Sequence, residues 1–156
     1  MTRLAEALAL ILAQARPEAL AGMAHFGMNT QARLGLSVPA MRAIAKQLGR
    51  DHALALALWA SGTADARMVA SMVAEPAQLT AAQMDTWAND FASWDVCDQA
   101  CGNAFARSPL AWDKVFEWGY AEHEYVKRAA FALLATLAVH DKKSDNARFI
   151  TTLPLI

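Results

Sequence analysis

The sequence predicts an all-α fold of stacked antiparallel helix pairs. Alanine, leucine and methionine dominate the composition, whereas β-branched residues are sparse, and this balance favours helices. Apolar residues recur at helical spacing, with no strand-like alternation. Helix-capping residues precede most of these apolar runs, and glycine or proline follows several of them. With 156 residues the chain can bury a core, and we expect residues 1–156 to form a single domain.

Start and stop residues define five predicted helices in the first half of the chain. Ser37 and Asp51 can each accept a hydrogen bond from a free backbone N–H of a first helical turn. Pro17 suits the first turn of a helix, and Pro76 ends one. The predicted helices cover residues 2–15, 17–25, 37–48, 51–59 and 64–75.

The second half predicts five further helices. Thr80 and Gln83 have the spacing of a capping box, in which each side chain bonds the other residue's backbone N–H. Ser144 or Asp145 can cap the last helix, after a charged turn over residues 141–145. One of the other three predicted helices follows Ser93, and the remaining two cover residues 108–118 and 122–139.

The segment Ser93–Cys101 concentrates chemically active side chains. We expect Ser93 to cap the helix and Asp95 to lie in its first turn, near the positive end of the helix dipole. Trp94 and Asp98 are four residues apart and therefore share one helix face. An indole beside a carboxylate suits a flat, cationic ligand. The alternative is a capped helix with a half-buried tryptophan and two solvated acids.

A possible internal repeat suggests how the helices stack. Arg67 and Arg128 each begin a run of apolar and small residues, 61 positions apart, and each follows a tryptophan and a short turn. This pattern favours helical hairpins of the HEAT type, stacked in an α-solenoid of the HEAT or ARM kind. Coincidence in an alanine-rich chain is the alternative.

The last residues, 151–156, end on apolar side chains without a polar cap. Terminal repeats of a solenoid need a polar outer face. We therefore expect the domain to be incomplete at its C-terminus, with further repeats or a protein partner covering this end.

Charge is unevenly distributed along the chain. Net charge is +3 for residues 1–59, −7 for residues 60–126 and +3 for residues 127–156. A protein that grips a phosphate backbone usually has a clear basic excess, so only local basic patches are expected here. Lys142 and Lys143 fit either a phosphate contact or a solvated turn.

Metal, redox and membrane functions are not indicated. Cys97 and Cys101 lie four residues apart without a nearby histidine, and buried thiols are the more common outcome for such a pair. The four histidines are scattered, and no apolar run approaches the ~18 residues of a membrane span. We expect a cytoplasmic protein that needs neither metal nor cofactor.

A set of ordered motifs resembles a known family. They are Gly35-Leu-Ser-Val-Pro-x-x-Arg42-x-Ile-Ala-Lys46, Leu58-Trp59, Ala64-Asp-Ala-Arg67, Ser93-Trp-Asp-Val-Cys-Asp98 and Lys127-Arg128-Ala. Because these motifs occur in the family's order, the chain resembles the AlkD-like DNA alkylation repair glycosylases, which are built of HEAT-like repeats.

The resemblance implies a role for three residues. It implies that Asp98 is catalytic, that Trp94 forms part of an aromatic cleft and that Arg128 binds DNA at the lesion. Further DNA contacts are expected from three other basic residues of the motifs, Lys127, Arg42 and Lys46. The chain differs from the family in its near-neutral charge, in Asp65 where a glutamate is usual, and in ending before a further cleft aromatic.

Two functions follow as expectations. The first is a glycosylase that removes cationic purines, such as 3-methyladenine and 7-methylguanine, from double-stranded DNA. Asp98 would stabilise the sugar cation and position water. The second is a non-catalytic scaffold that binds DNA structure or a protein. The enzyme requires Trp94, Asp98 and Arg128 to converge on an open cleft with Asp98 unneutralised, whereas a buried ion pair at Asp98 favours the scaffold.

Overall fold

Ten α-helices and four short 3₁₀ turns form the regular structure, and no strand is present. The structure is a computed structural model that describes residues 1–156. It confirms the all-α prediction. The helices are α1 Arg3–Ala13, α2 Leu20–His25, α3 Val38–Leu48, α4 His52–Ala60, α5 Ala64–Val73, α6 Ala81–Asn89, α7 Trp94–Asn103, α8 Ala111–Gly119, α9 Glu124–His140 and α10 Asn146–Ile150.

Four of the ten helices begin at the predicted capping residue. The side chains of Ser37, Asp51 and Asp145 each accept a hydrogen bond from the backbone N–H three residues ahead. Thr80 and Gln83 form the predicted capping box with two reciprocal bonds of 3.1 Å. Local side-chain chemistry therefore sets these helix starts.

Ser93 is an exception to this pattern. It occupies the N-cap position of α7, but its side chain makes no capping bond. Its hydroxyl instead donates to Oδ1 of Asp95 at 2.6 Å, and both residues are buried. The predicted capping bond of Ser93 is wrong, and its hydroxyl is directed to the buried carboxylate two residues ahead instead.

Two other helix starts differ from the prediction. α8 begins at Ala111 rather than Ser108, whose hydroxyl accepts from the N–H of Leu110. α9 begins after His123, whose Nδ1 accepts from the N–H groups of Tyr125 and Val126 at 3.2 and 3.4 Å. Histidine is not a usual capping residue, so the sequence pattern did not indicate this cap.

The chain divides into two compact units, residues 1–78 and residues 79–156. In the first unit, α4 and α5 form an antiparallel pair, because the N–H of Asp51 before α4 bonds the carbonyl of Val73 at the end of α5. α3 packs against α5, and α1 packs against α3 and α4. The prediction of a single domain over residues 1–156 stays a prediction.

A buried carboxylate fixes the loop that precedes α3. Asp65 is fully buried and accepts the backbone N–H groups of Leu34 and Leu36 at 2.6 and 2.9 Å. Between them, Gly35 has a φ of +88°, and a Cβ there would lie 2.3 Å from the carbonyl oxygen of Arg16. Glycine is therefore required at this close backbone approach.

In the second unit, α8 and α9 are antiparallel and α7 lies beside α9. The indole N–H of Trp112, at the start of α8, donates to Asp141 just after α9 at 3.1 Å. Phe105 is fully buried at the centre of the core, with the ring centroids of Trp87, Phe91 and Trp118 5.4–6.2 Å away. Both tryptophans are buried as well.

Three further observations concern the whole chain. None of the helices combines the length and apolar content that a membrane crossing needs. No cluster of three or more histidine, cysteine or acidic side chains is arranged to hold a metal ion. Ile150, Leu153 and Ile156 are exposed near the end of the sequence, and the partner expected there stays a prediction.

Candidate functional site

Two parallel helices position the candidate site. The thiols of Cys97 and Cys101 on α7 donate to the carbonyls of Tyr125 and Ala129 on α9, with sulfur–oxygen distances of 3.5 and 3.7 Å. Residue numbers rise together on the two helices, so they run in the same direction. Both thiols are buried and unpaired, and burial raises the pKa of Cys101 well above its ordinary value. The cysteines therefore hold the helix register, and Cys101 is poorly suited to thiolate chemistry.

This register brings Trp94, Asp98 and Arg128 together. Nε and Nη2 of Arg128 donate to the two carboxylate oxygens of Asp98 at 2.9 and 2.8 Å. The guanidinium carbon lies 5.7 Å from the ring centroid of Trp94, within the range of a cation–π contact. The three predicted residues converge, although Arg128 lies thirty positions beyond Asp98 in the sequence.

Asp98 carries a paired charge, whereas the sequence analysis expected it to be unneutralised. It forms a two-point ion pair with Arg128, and this pairing raises the pKa of the guanidinium. The pair is open to solvent, since the side chains of Arg128 and Asp98 are 45% and 37% exposed. Asp98 is therefore paired, but not in the buried ion pair that was expected to favour a scaffold.

The exposure of the pair determines how firmly it holds. Solvent-exposed ion pairs contribute roughly 0.2–1 kcal/mol, because water screens the attraction and two long side chains must be ordered. A phosphate group binds a guanidinium by the same two-point geometry as a carboxylate. A phosphodiester can therefore replace Asp98 as the partner of Arg128 at little cost.

The other acid of the segment behaves differently. Asp95 is only 8% exposed and accepts a hydrogen bond from the hydroxyl of Ser93. The alternative interpretation of two solvated acids is therefore wrong for Asp95. Asp95 is part of the packed helix start, whereas Asp98 faces the surface with Trp94 and Arg128.

The remaining predicted DNA contacts are placed as follows. Lys127 is exposed on α9, next to Arg128 in the sequence. Arg42 and Lys46 are exposed on α3 in the first unit, where they line a groove of about 300 Å³ together with Arg50. Nη1 of Arg50 also donates to the carbonyl of Ala74 at 2.6 Å. No acidic residue lines this groove, so it offers positive charge alone.

Sequence reasoning missed Arg50 as part of this groove. The signal was available, because Arg42, Lys46 and Arg50 follow one another at intervals of four. Gly49 obscured it by ending the helix before the third residue.

Comparison with known proteins assigns the chain to a family. Residues 7–154 match the family model of the DNA alkylation repair enzymes. The chain belongs to the DNA alkylation repair enzyme family. This membership confirms the resemblance that the ordered motifs indicated, and it covers both units of the chain.

A solved structure also resembles this member of the DNA alkylation repair enzyme family. It is described as "A new family of proteins related to the HEAT-like repeat DNA glycosylases with affinity for branched DNA structures". The two share 22% sequence identity with a TM-score of 0.74, over 88% of this chain and 57% of the solved one. The likeness confirms the HEAT-like fold, and the chain spans little more than half the length of that protein. No curated protein sequence matches the chain.

Proposed function

We propose that this protein is a DNA glycosylase that removes cationic N-alkylated purines from double-stranded DNA. One observation carries the proposal: the Trp94–Asp98 pair already holds a flat cation, the guanidinium of Arg128. The aromatic face and the carboxylate thus form a surface that accepts planar positive charge. Membership of the DNA alkylation repair enzyme family supports the choice of substrate.

Alkylation explains why one carboxylate could be sufficient. 3-Methyladenine and 7-methylguanine carry a positive charge as nucleosides, so the base leaves without being protonated first. Positive charge then develops on the sugar as the glycosidic bond breaks. A fixed carboxylate beside the sugar stabilises this charge, and removing one such electrostatic contact costs on the order of 10²–10³ in rate.

The proposed step balances as follows. The bond between the sugar C1′ and the base nitrogen breaks, and its electron pair neutralises the departing base. A water oxygen forms the new bond to C1′, and the water proton passes to the carboxylate of Asp98. Trp94 packs against the sugar or the cationic base. These groups are supplied by the chain itself, and the scheme requires neither metal nor cofactor.

Arg128 must leave Asp98 before this step. We propose that a DNA phosphate next to the lesion takes its guanidinium, which frees the carboxylate for the sugar. Lys127 on the same helix adds positive charge near this phosphate. Arg42 and Lys46 contact the backbone from the first unit, where their groove contains no competing acid.

Release of 7-methylguanine from methylated duplex DNA tests the proposal. Asp98→Asn keeps the shape but loses the charge, and we expect the single-turnover rate to fall by roughly 10²-fold or more. Asp113→Asn is the matched control, since this exposed acid on α8 lacks the tryptophan and arginine partners. Absence of release by the unaltered protein, or equal release by Asp98→Asn, contradicts the enzyme.

A second candidate is a module that binds branched DNA without chemistry. The ion pair between Asp98 and Arg128 favours it, because a paired carboxylate is less available to a sugar cation. The solved structure described as having affinity for branched DNA supports it. Fluorescence anisotropy with a four-way junction and a duplex of equal length separates the candidates: a strong junction preference without base release supports the module.

A further inference from the structure

The second unit contains a cavity of about 700 Å³ that the proposed chemistry does not use. Four elements line it: the end of α7 with the turn that follows, the start of α8, the second half of α9 and the segment that leads into α10 together with α10 itself. Trp112, Thr136 and His140 form part of the wall. A cavity of this size falls within the range of ligand-binding sites.

The wall of this cavity is positively charged. Arg107, Lys143 and Arg148 line it, together with His140 and a single acid, Asp141. With a neutral histidine the wall therefore carries a net charge of +2. The unit as a whole carries seven Lys/Arg and ten Asp/Glu over residues 79–156, which is −3. Positive charge is thus gathered at the cavity in an otherwise acidic unit.

Asp141 forms no ion pair with these cations because its oxygens are already engaged. Oδ1 accepts the N–H groups of Lys143 and Ser144 at 3.1 and 3.0 Å. Oδ2 accepts the hydroxyl of Ser144 at 2.7 Å and the indole N–H of Trp112 at 3.1 Å. These four bonds lower the pKa of Asp141 and use the acceptor sites of a carboxylate.

The cations differ in how they are held. Arg148 stacks on the ring of Trp112, 4.2 Å from its centroid, and donates to the hydroxyl of Ser144 at 3.0 Å. The side chains of Arg107 and Lys143 are exposed and form neither a hydrogen bond nor an ion pair within the protein. The cavity therefore combines one fixed guanidinium with two cations that are available to an anion.

The position of the cavity relates it to the candidate site. Gly102 on α7 is one helical turn beyond Asp98, and Thr136 and His140 on α9 lie eight and twelve residues beyond Arg128. At 1.5 Å per residue, the cavity wall begins about 6 Å beyond Asp98 on α7 and extends about 12–18 Å beyond Arg128 on α9. This distance corresponds to a few nucleotides of a DNA strand that follows the seam.

We propose that this cavity is a phosphate-binding subsite for the DNA strand, a few nucleotides from the base held at Trp94. The inference rests on the proposed binding of DNA at Trp94, Asp98 and Arg128. Arg148 supplies a planar, fixed donor, and Arg107 and Lys143 close on the phosphate from the rim. This subsite provides a local basic contact in a unit whose overall charge repels DNA.

Binding of a fluorescein-labelled duplex, measured by anisotropy over a range of NaCl concentrations, tests the subsite. We expect Arg107→Gln with Lys143→Gln to raise Kd roughly tenfold and to reduce the slope of log K against log salt by about 1–2. Lys142→Gln is the matched control, because this neighbouring exposed lysine does not line the cavity. It removes one positive charge, as Lys143→Gln alone does, and should change Kd less than about twofold.

Two outcomes overturn the subsite. One is an unchanged Kd and slope for the Arg107/Lys143 double variant. The other is saturable binding of inorganic phosphate or a mononucleotide that the double variant loses while its DNA binding is unaffected, which indicates a small-anion site. Failure of the proposed glycosylase can be told apart from failure of the subsite. If no base is released, the comparison of DNA binding between the variants is still valid. If base release is normal but the double variant leaves the salt slope unchanged, only the subsite is contradicted.

Discussion

Two aspartates, one in each unit, show how the same side chain serves different purposes. Asp65 on α5 is fully buried and accepts two backbone N–H groups of the loop before α3. Asp98 on α7 is 37% exposed and is held by the guanidinium of Arg128. The partners of Asp65 are fixed by the backbone, whereas the partner of Asp98 is a flexible side chain at the surface.

The difference teaches which carboxylate can take part in chemistry. A buried acid with fixed donors cannot exchange them without leaving a charge unsatisfied, so it acts only on stability. An exposed acid paired with an arginine can exchange that partner for a ligand at small cost. Two helices of the different units also differ in charge. α3 is basic and carries no acid, whereas α7 carries Asp95 and Asp98.

The largest expected effect on stability comes from Asp65. Asp65→Ala removes the acceptor of two buried backbone N–H groups, which should lower the free energy of unfolding by about 3 kcal/mol. For a chain of this size Tm should fall by roughly 6–12 °C. Asp98→Ala is the comparison and should cost at most about 1 kcal/mol. Similar Tm losses for the two variants would break the distinction between them.

The next effect separates the two repeat arginines. Arg128→Gln removes the guanidinium proposed to bind a phosphate beside the lesion, and release of 7-methylguanine should fall roughly 10–100-fold. Arg67 contacts the ring and carbonyl of Trp59 instead. Arg67→Gln should therefore change release less than about threefold. Equal losses in the single-turnover assay would show that the arginines act alike.

A smaller effect is expected from the indole beside Asp98. Trp94→Ala should weaken binding of alkylated duplex by about 1–2 kcal/mol, because stacking of bases on aromatic rings has this magnitude. Trp94→Phe retains an aromatic face and should recover most of the affinity. Anisotropy titrations measure both, and a phenylalanine variant as weak as the alanine variant argues against stacking.

The smallest effect calibrates the stability scale. Thr80→Ala removes one bond of the capping box and should lower the free energy of unfolding by about 1 kcal/mol, or Tm by roughly 2–4 °C. Thr86→Ala, at an exposed position within α6, is the control and should be near neutral. Thermal unfolding followed by circular dichroism measures both. A loss at Thr86 as large as at Thr80 would remove the capping explanation.

The sequence predicted those features that depend on neighbouring residues. Capping by Ser37, Asp51 and Thr80 follows from side chains that bond the backbone three residues away. The shared face of Trp94 and Asp98 follows from helical periodicity alone. These predictions needed no knowledge of how helices pack.

Features that depend on packing between distant segments were harder to predict. The pairing of Asp98 with Arg128 requires α7 and α9 to run parallel in one register, which the two cysteine thiols help to set. Burial of Asp65 contradicts the usual exposure of aspartate and depends on a loop thirty residues earlier. The cavity wall combines four separate elements, so its positive charge is scattered in the sequence.

The central claim is that Asp98 acts on the reacting sugar and does more than orient Arg128. Single-turnover release of 7-methylguanine at saturating protein, with Asp98→Asn made in the unaltered chain and in Arg128→Gln, tests it most directly. A catalytic Asp98 predicts a loss of roughly 10²-fold or more in both backgrounds. Loss of the Asp98→Asn effect in the Arg128→Gln background would contradict the account, since the carboxylate would then act only through the arginine.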